Sequence, residues 1–309
     1  MKAIDLVHSF HIPGGAMETT NPIQEWLNTP IPKKLWHYTS VEGFYGITTG
    51  RDIYATDFRF LNDREEFIHA RKIIEELVEG TPEDANGIKV RRTLQSVINA
   101  AFSPSTGIIH PDHTHFYVAS FSAAEDQLSQ WRGYSHGSSG VSLCLDLNSF
   151  RGPSNVGGLV SFAPCAYDPL KKRELIHHAL GHSLISNSSQ LDRNQVVDAV
   201  AKTVFDLQRI LALLKNSAFH EEQEWRLVFS VSASNETKLN LRLFRAANTT
   251  LVPYVRYSFS SNPDTPIPLN DLILGPSSDE HAIFAAKSFL ETQGIKITPR
   301  PSNVPYRPS

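Results

Sequence analysis

The sequence contains few of the residues that build disulfide frameworks or thiolate metal sites. Only two of its 309 residues are cysteines, Cys144 and Cys165. Two thiols support neither a disulfide framework nor a thiolate metal site, and such low usage favours a reducing, cytoplasmic setting. The sequence also lacks an obvious export signal and any apolar run of membrane-spanning length. We therefore expect a cytoplasmic protein without a membrane partner.

A strong charge of either sign is absent as well. Lysine and arginine number 29 against 32 aspartate and glutamate residues, which gives a formal net charge of −3. Any contact with nucleic acid would therefore need a local basic patch. Neither a glycine-rich dinucleotide motif after a strand nor a P-loop motif occurs, which argues against Rossmann and P-loop chemistry. Histidines cluster at 110–115 and 177–182, but neither cluster has a known metal-ligand pattern, so we expect no metal.

The hydrophobic pattern predicts strands and helices in separate groups along the chain. Strand patterns cluster at the front, the middle and the back, and helical patterns fill the intervals. This arrangement favours an α+β fold over a doubly wound parallel sheet. Proline and glycine predict a loosely ordered lead-in over residues 1–33. We expect a single α+β domain over residues 34–309, with a helical insertion at about 170–215.

The most informative segment is residues 221–231, in which an acidic cluster runs into an apolar strand. Alternation of the apolar residues predicts that Glu222, Glu224 and Arg226 share the opposite face of that strand. The two carboxylates would then lie about 6.5 Å apart, close enough to act on one small ligand. The alternative is a solvated strand face with Arg226 as a counter-ion. The alternating apolar residues are Trp225, Leu227, Phe229 and Val231.

Other segments contribute polar and aromatic candidates. His37 lies in an otherwise apolar strand pattern, where a histidine is normally a satisfied core residue. Tyr54 lies in the next predicted strand and is by itself an ordinary strand former. Trp131, Arg132 and Tyr134 precede a strand and offer a stacking surface and a cation, which suit an anionic aromatic ligand and suit core packing equally.

Seven ordered blocks of the sequence resemble a widespread bacterial family that is catalogued as a domain of unknown function. Because the blocks span most of the chain in a fixed order, the resemblance is specific. The family itself implies no activity. The blocks lie at residues 36–40, 54–63, 120–122, 130–134, 219–226, 275–276 and 304–307.

A weaker resemblance does imply an activity. The order of a strand histidine, a strand tyrosine and a Glu-x-Glu strand is similar to that of the His-Tyr-Glu class of ADP-ribosyltransferases. The resemblance implies a split, mostly antiparallel sheet flanked by helices, with NAD bound as substrate in the cleft. It implies that His37 holds the ribose, Tyr54 stacks on nicotinamide and Glu224 binds the nicotinamide-ribose hydroxyl. Glu222 would orient or deprotonate the acceptor. We assign Thr39, Trp131, Arg132 and Tyr134 to the same NAD site.

This resemblance implies an ADP-ribosyltransferase that modifies a protein or nucleic-acid acceptor, as a toxin or phage-defence effector does, or an NAD glycohydrolase that uses water. One alternative is a metal-dependent nuclease or phosphoesterase in which Arg226 binds phosphate. Its magnesium ligands would be Asp57, Asp63, Glu222 and Glu224. The other alternative is a non-catalytic module that senses a nucleotide-like ligand.

Overall fold

The computed structural model of the protein describes most of the strands and a subset of the helices. The described residues are 21–61, 71–76, 79, 92, 114–134, 140–147, 158–180, 202–203, 205–207, 209–247, 250–259, 262 and 264–305. Asp63, a candidate metal ligand, lies outside them. No helix among these residues has the length and apolar character needed to cross a membrane.

Ten strands and six helices are delimited within these residues. The helices are α1 (Pro22–Leu27), α2 (Val41–Gly50), α3 (Leu128–Tyr134), α4 (Pro169–Ala179), α5 (Ala233–Lys238) and α6 (Glu280–Thr292). The strands are β1 (Leu35–Thr39), β2 (Asp52–Asp57), β3 (Thr114–Ser122), β4 (Val141–Leu145), β5 (Gly158–Pro164), β6 (Glu224–Ser232), β7 (Leu243–Ala247), β8 (Thr250–Ser258), β9 (Leu269–Leu274) and β10 (Arg300–Pro301). Short 3-10 helices cover Phe58–Phe60 and Ser217–Glu222.

All ten strands belong to one sheet, in which the order β10-β9-β4-β1-β3-β2-β8-β7 forms the main path and β6 and β5 branch from β3. Among the pairs of described strands, β9 and β10 run parallel and the others run antiparallel. The predicted mostly antiparallel sheet flanked by helices is therefore confirmed.

The sheet branches because β1 and β2 share one edge of β3. Strand β6 pairs with β3 along its whole length and so occupies the other edge. On the shared edge, Ser122 pairs with β1, whereas Tyr117 and Val118 pair with β2. No described strand pairs with residues 119–121 on that edge, so a split opens there between β1 and β2.

Hydrophobic residues cover both faces of β6. The predicted alternating set is buried in one core cluster with apolar residues of α2 and α6. On the opposite face, Val228 packs with Phe116, Val118 and Leu213 in another cluster. The solvated face considered for this strand is therefore wrong. Both faces of β6 are buried, so its polar side chains must find partners inside the protein.

Part of the predicted lead-in is helical. Asn21 caps α1 through the backbone N–H groups of Ile23 and Gln24. Ile23 is buried against apolar residues of α4, and the Trp26 indole donates a hydrogen bond to the Pro164 carbonyl. Residues 21–27 therefore belong to the folded protein. The remaining domain boundaries stay predictions.

Two glycines in α2 test how tightly this helix packs against β1. A Cβ atom at Gly43 would lie 2.0 Å from Thr39 Oγ1, whereas one at Gly46 would meet nothing within 4 Å. We expect Gly43→Ala to destabilise the protein by about 1–3 kcal/mol, because the stiff threonine side chain must move. Gly46→Ala should be neutral or stabilising by about 0.5–1 kcal/mol. Chemical denaturation measures both, and equal effects at the two positions would contradict the packing described.

Candidate functional site

A cleft of about 560 Å³ lies at the split between β1 and β2. Its volume is within the range of pockets that enclose small organic ligands, roughly 300–1,000 Å³. Residues of β1, α2, β2 and β3 contribute to its wall, and isolated side chains from α3, β6 and β7 complete it. The polar and aromatic residues that line it include His37, Thr39, Tyr54, Thr56, Ser120, Tyr134, Arg226 and Arg245.

His37 bridges the split. Its Nδ1 lies 2.9 Å from the carbonyl oxygen of Ser120, within the part of β3 that neither β1 nor β2 covers. A carbonyl only accepts, so Nδ1 carries the proton and Nε2 is left as an acceptor when the ring is neutral. Burial lowers the pKa of His37, and the hydrogen bond to Ser120 opposes this shift only in part. His37 is therefore a neutral imidazole near pH 7.

Tyr54 presents a partly exposed ring to the cleft. Its ring stacks on Tyr254 of β8, with centroids 4.3 Å apart and an interplanar angle of 27°. The Arg256 guanidinium lies 5.8 Å from the centroid of the same ring. Tyr54 is thus held in place by neighbours on β8, and a fixed aromatic ring suits stacking on a planar ligand.

Two arginines line the cleft, and they differ in their surroundings. Arg226 is almost fully buried and donates to Glu224 through both Nε and Nη2, at 2.8 and 3.2 Å. Arg245 is exposed, and its Nη2 donates to Thr56 Oγ1 at 3.0 Å. Within the described part of the chain, Arg245 forms no ion pair with a carboxylate. It is the cation of this cleft that is best placed to attract an anion from solution.

A smaller cavity of about 40 Å³ adjoins the cleft and contains Glu224 in its wall. His37, Ser120 and Tyr134 line both spaces. Of the predicted trio, His37 lines both spaces, Tyr54 lines only the cleft and Glu224 lines only the small cavity. Glu224 lies at the inner, buried side.

Glu224 belongs to a buried ionic cluster. Lys215 Nζ lies 2.5 Å from Glu224 Oε2 and 2.6 Å from Glu222 Oε2. Arg226 donates hydrogen bonds to both oxygens of the Glu224 carboxylate. Burial raises the pKa of Glu224, but Arg226 and Lys215 outweigh that effect and hold the pKa at about 2. Glu224 is therefore ionised at neutral pH, and it is a weak base.

Glu222 lies outside β6, so its predicted position on the strand face is wrong. It ends the preceding 3-10 helix, and Gln223 then adopts a left-handed backbone conformation with φ 43°. This turn allows Glu222 and Glu224 to approach Lys215 from two sides. Glu222 is buried and does not line the cleft or the small cavity. The geometry gives it no contact with an acceptor in either space.

The other predicted NAD-site residues divide into two groups. Thr39 and Tyr134 line the cleft, as assigned. Trp131 is fully buried, packs edge-on against Tyr38 and donates to Asp126. Its ring therefore cannot stack on a ligand, and the assignment to the NAD site is wrong. Arg132 is exposed and lines neither space.

Lys215, Arg245 and Tyr254 are site residues that the sequence did not identify. Lys215 lies just before the 3-10 helix Ser217–Glu222, and its backbone N–H donates to the Ala166 carbonyl. Arg245 and Tyr254 come from β7 and β8, which reach the site only through the pairing of β8 with β2. Pairing between strands about 200 positions apart leaves no local pattern in a single sequence.

The geometry does not fit the proposed magnesium site. Lys215 Nζ occupies the position between Glu222 and Glu224 that a cation would need. Asp57 is engaged by the guanidinium of Arg59 through both carboxylate oxygens. No group of three or more histidine, cysteine, aspartate or glutamate side chains among the described residues could hold a metal ion.

Fold and site together define a mixed α/β protein with a polar cleft at a branch in its sheet. A family described as a protein of unknown function (DUF2971) matches residues 130–227. This range runs from α3 into β6 and contains the blocks at 130–134 and 219–226. The match supports the resemblance to an uncharacterised family over this part of the chain. No curated protein and no solved structure matches the chain.

The ionic cluster predicts a pH-dependent contribution to stability. Glu224→Gln should lower the free energy of unfolding at pH 7 by about 3 kcal/mol, because it removes the charge that two buried cations share. Since the pKa is lowered from 4.5 to about 2 in the folded state, the contribution is complete above pH 4.5 and is lost as the pH falls towards 2. Urea titrations across this range measure it.

Glu221→Gln is the matched control, because Glu221 is the exposed neighbour of the same acidic segment. It should change the free energy of unfolding by less than about 0.5 kcal/mol. A gap between wild type and Glu224→Gln that stays constant from pH 7 to pH 2.5 would contradict the assigned ionisation.

Proposed function

We propose that the cleft binds NAD and that the protein cleaves the bond between nicotinamide and ribose, in the manner of the ADP-ribosyltransferases it resembles. The observation that carries the proposal is that His37 borders both the cleft, which Tyr54 lines, and the adjoining small cavity, which Glu224 lines. These residues come from three strands, and Glu224 lies 187 positions after His37 and 170 positions after Tyr54. The ADP-ribose acceptor would be a protein, a nucleic acid or water.

Each member of the trio has an environment that suits its proposed role. Tyr54 offers a fixed ring on which nicotinamide stacks. His37 is neutral and borders both spaces, so the ribose would lie against its imidazole ring. Glu224 is an ionised carboxylate on the buried side, where a negative charge stabilises the cationic ribose as nicotinamide leaves. Exposed Arg245 would attract the diphosphate.

The split in the sheet explains how such a site works without a glycine-rich loop. In a sheet without a branch, the backbone of residues 119–121 would be covered by a neighbouring strand. Here β1 and β2 diverge, and side chains from both strands face the open interval. This arrangement supports an ADP-ribosyltransferase-like split sheet. The proposed setting is a bacterial toxin or phage-defence effector that acts in the cytoplasm.

A second candidate function is a non-catalytic module that senses a nucleotide-like ligand. The observation that favours it is the pairing of Glu224 with Lys215 and Arg226. The two cations neutralise the negative charge of the carboxylate. Glu224 therefore stabilises a cationic transition state less than an unpaired carboxylate would. Under this alternative, NAD binds with the same contacts, but nicotinamide is never released.

Replacement of Tyr54 tests the nucleotide site without disturbing the ionic cluster. We expect Tyr54→Ala to weaken NAD binding about 10-fold, because stacking of a base on an aromatic ring contributes about 1–3 kcal/mol. Isothermal titration calorimetry measures the affinity, and chromatography of the reaction mixture measures the nicotinamide released.

Tyr45→Ala is the matched control, because Tyr45 is an exposed tyrosine on α2 that stacks on Phe289 and lies outside the cleft. Its NAD affinity should stay within about twofold of wild type. Binding without release of nicotinamide would favour the sensing module. Absence of NAD binding to the wild-type protein would overturn both functions.

A further inference from the structure

One amide side chain lines the small cavity without a hydrogen-bond partner among the described residues. Gln130 of α3 is 5% exposed and shares the wall of the 40 Å³ cavity with His37 and Glu224. Its side chain makes no hydrogen bond to any residue in the part of the chain that the structure describes. A polar group that enters the cavity can therefore bond to this amide.

The size and chemistry of the cavity fit a water molecule. A buried water needs roughly 10–15 Å³ of such space and two to four polar partners. The amide of Gln130 can donate and accept, and the carboxylate of Glu224 accepts. His37 Nε2 adds a second acceptor, because Nδ1 is committed to Ser120. The larger cleft next to the cavity remains available for the nucleotide.

We propose that Gln130 is a positioning residue that holds a water molecule beside His37 and Glu224, and that this water is the acceptor of ADP-ribose. The inference rests on the proposed function and narrows it to NAD hydrolysis. The water oxygen forms a bond to C1′ of the nicotinamide ribose while the bond from C1′ to the nicotinamide nitrogen breaks. The electron pair of that bond leaves with neutral nicotinamide. The proton of the water passes to His37 Nε2, and the other product is ADP-ribose.

His37 is better suited than Glu224 to accept this proton. Arg226 and Lys215 hold Glu224 in its ionised form and make it a weak base. His37 has no carboxylate partner among the described residues, and its proton on Nδ1 is fixed by the Ser120 carbonyl. Its free nitrogen is therefore unprotonated before the reaction. Glu224 then contributes by orienting the water and stabilising the ribose cation.

The first test is a crystal structure of the wild-type protein at a resolution that shows ordered water. We expect a water molecule within about 3.2 Å of the Gln130 amide in the small cavity. An empty cavity, or a Gln130 amide that bonds to another part of the protein, would overturn the proposal. This result does not depend on whether the protein turns over NAD.

The second test compares the wild-type protein with Gln130→Met in the presence of methanol, which competes with water as the acceptor of ADP-ribose. Methionine has a similar length but no amide, so the water loses its anchor while the methyl group of methanol gains an apolar neighbour. We expect the ratio of ADP-ribose to O-methyl-ADP-ribose to fall about tenfold, as for the loss of one hydrogen bond. The KM for NAD should stay within about twofold, since the nucleotide occupies the larger cleft.

Gln127→Met is the matched control, because the Gln127 amide contacts exposed Glu221 and lies outside both spaces. It should keep the wild-type product ratio. A smaller amount of folded enzyme lowers both products equally, so a changed ratio in Gln130→Met cannot come from partial unfolding. An unchanged ratio in Gln130→Met would overturn the role of Gln130. If the wild-type protein releases no nicotinamide, the proposed function fails and the acceptor role fails with it, whereas the crystallographic water still decides whether the cavity is a hydration site.

Discussion

The site depends on the way in which one edge of β3 is shared. Because β6 covers the other edge completely, β1 and β2 must both pair on the remaining one, and they pair at different positions. The interval between them leaves backbone groups on this edge that no described strand covers. One of these groups, the Ser120 carbonyl, accepts a hydrogen bond from the imidazole of His37 instead of from a strand. The same hydrogen bond fixes the tautomer that gives the site its acceptor nitrogen.

The ionic cluster joins this site to the rest of the fold. Lys215 and the Ala212 carbonyl lie just before the 3-10 helix Ser217–Glu222, and they bind Glu224 and Arg226 of β6. Their attraction offsets the cost of burying two carboxylates and two cations. Glu224 therefore stabilises the fold and borders the site at once. Loss of activity on replacing Glu224 would not separate these roles, whereas replacement of Tyr54 or Gln130 leaves the cluster intact.

Periodicity in the sequence predicted the parts of the site that local pattern controls. The alternation from Trp225 onward placed Glu224 and Arg226 together on the face opposite the apolar residues. The same reasoning failed at Glu222, because Gln223 breaks the strand with a left-handed turn. It also failed at Trp131, since a tryptophan that packs in the core and one that stacks on a ligand look alike in sequence. Lys215 and Arg245 approach through tertiary contacts, which no local pattern records.

A crystal structure of the protein with bound NAD tests the central claim most directly. The account predicts density for the nucleotide in the cleft between β1 and β2, with nicotinamide against the ring of Tyr54 and the ribose against the imidazole of His37. The diphosphate should lie towards Arg245. Density for NAD at another surface, or an empty cleft at saturating NAD, would contradict the claim that the split in the sheet is a nucleotide site.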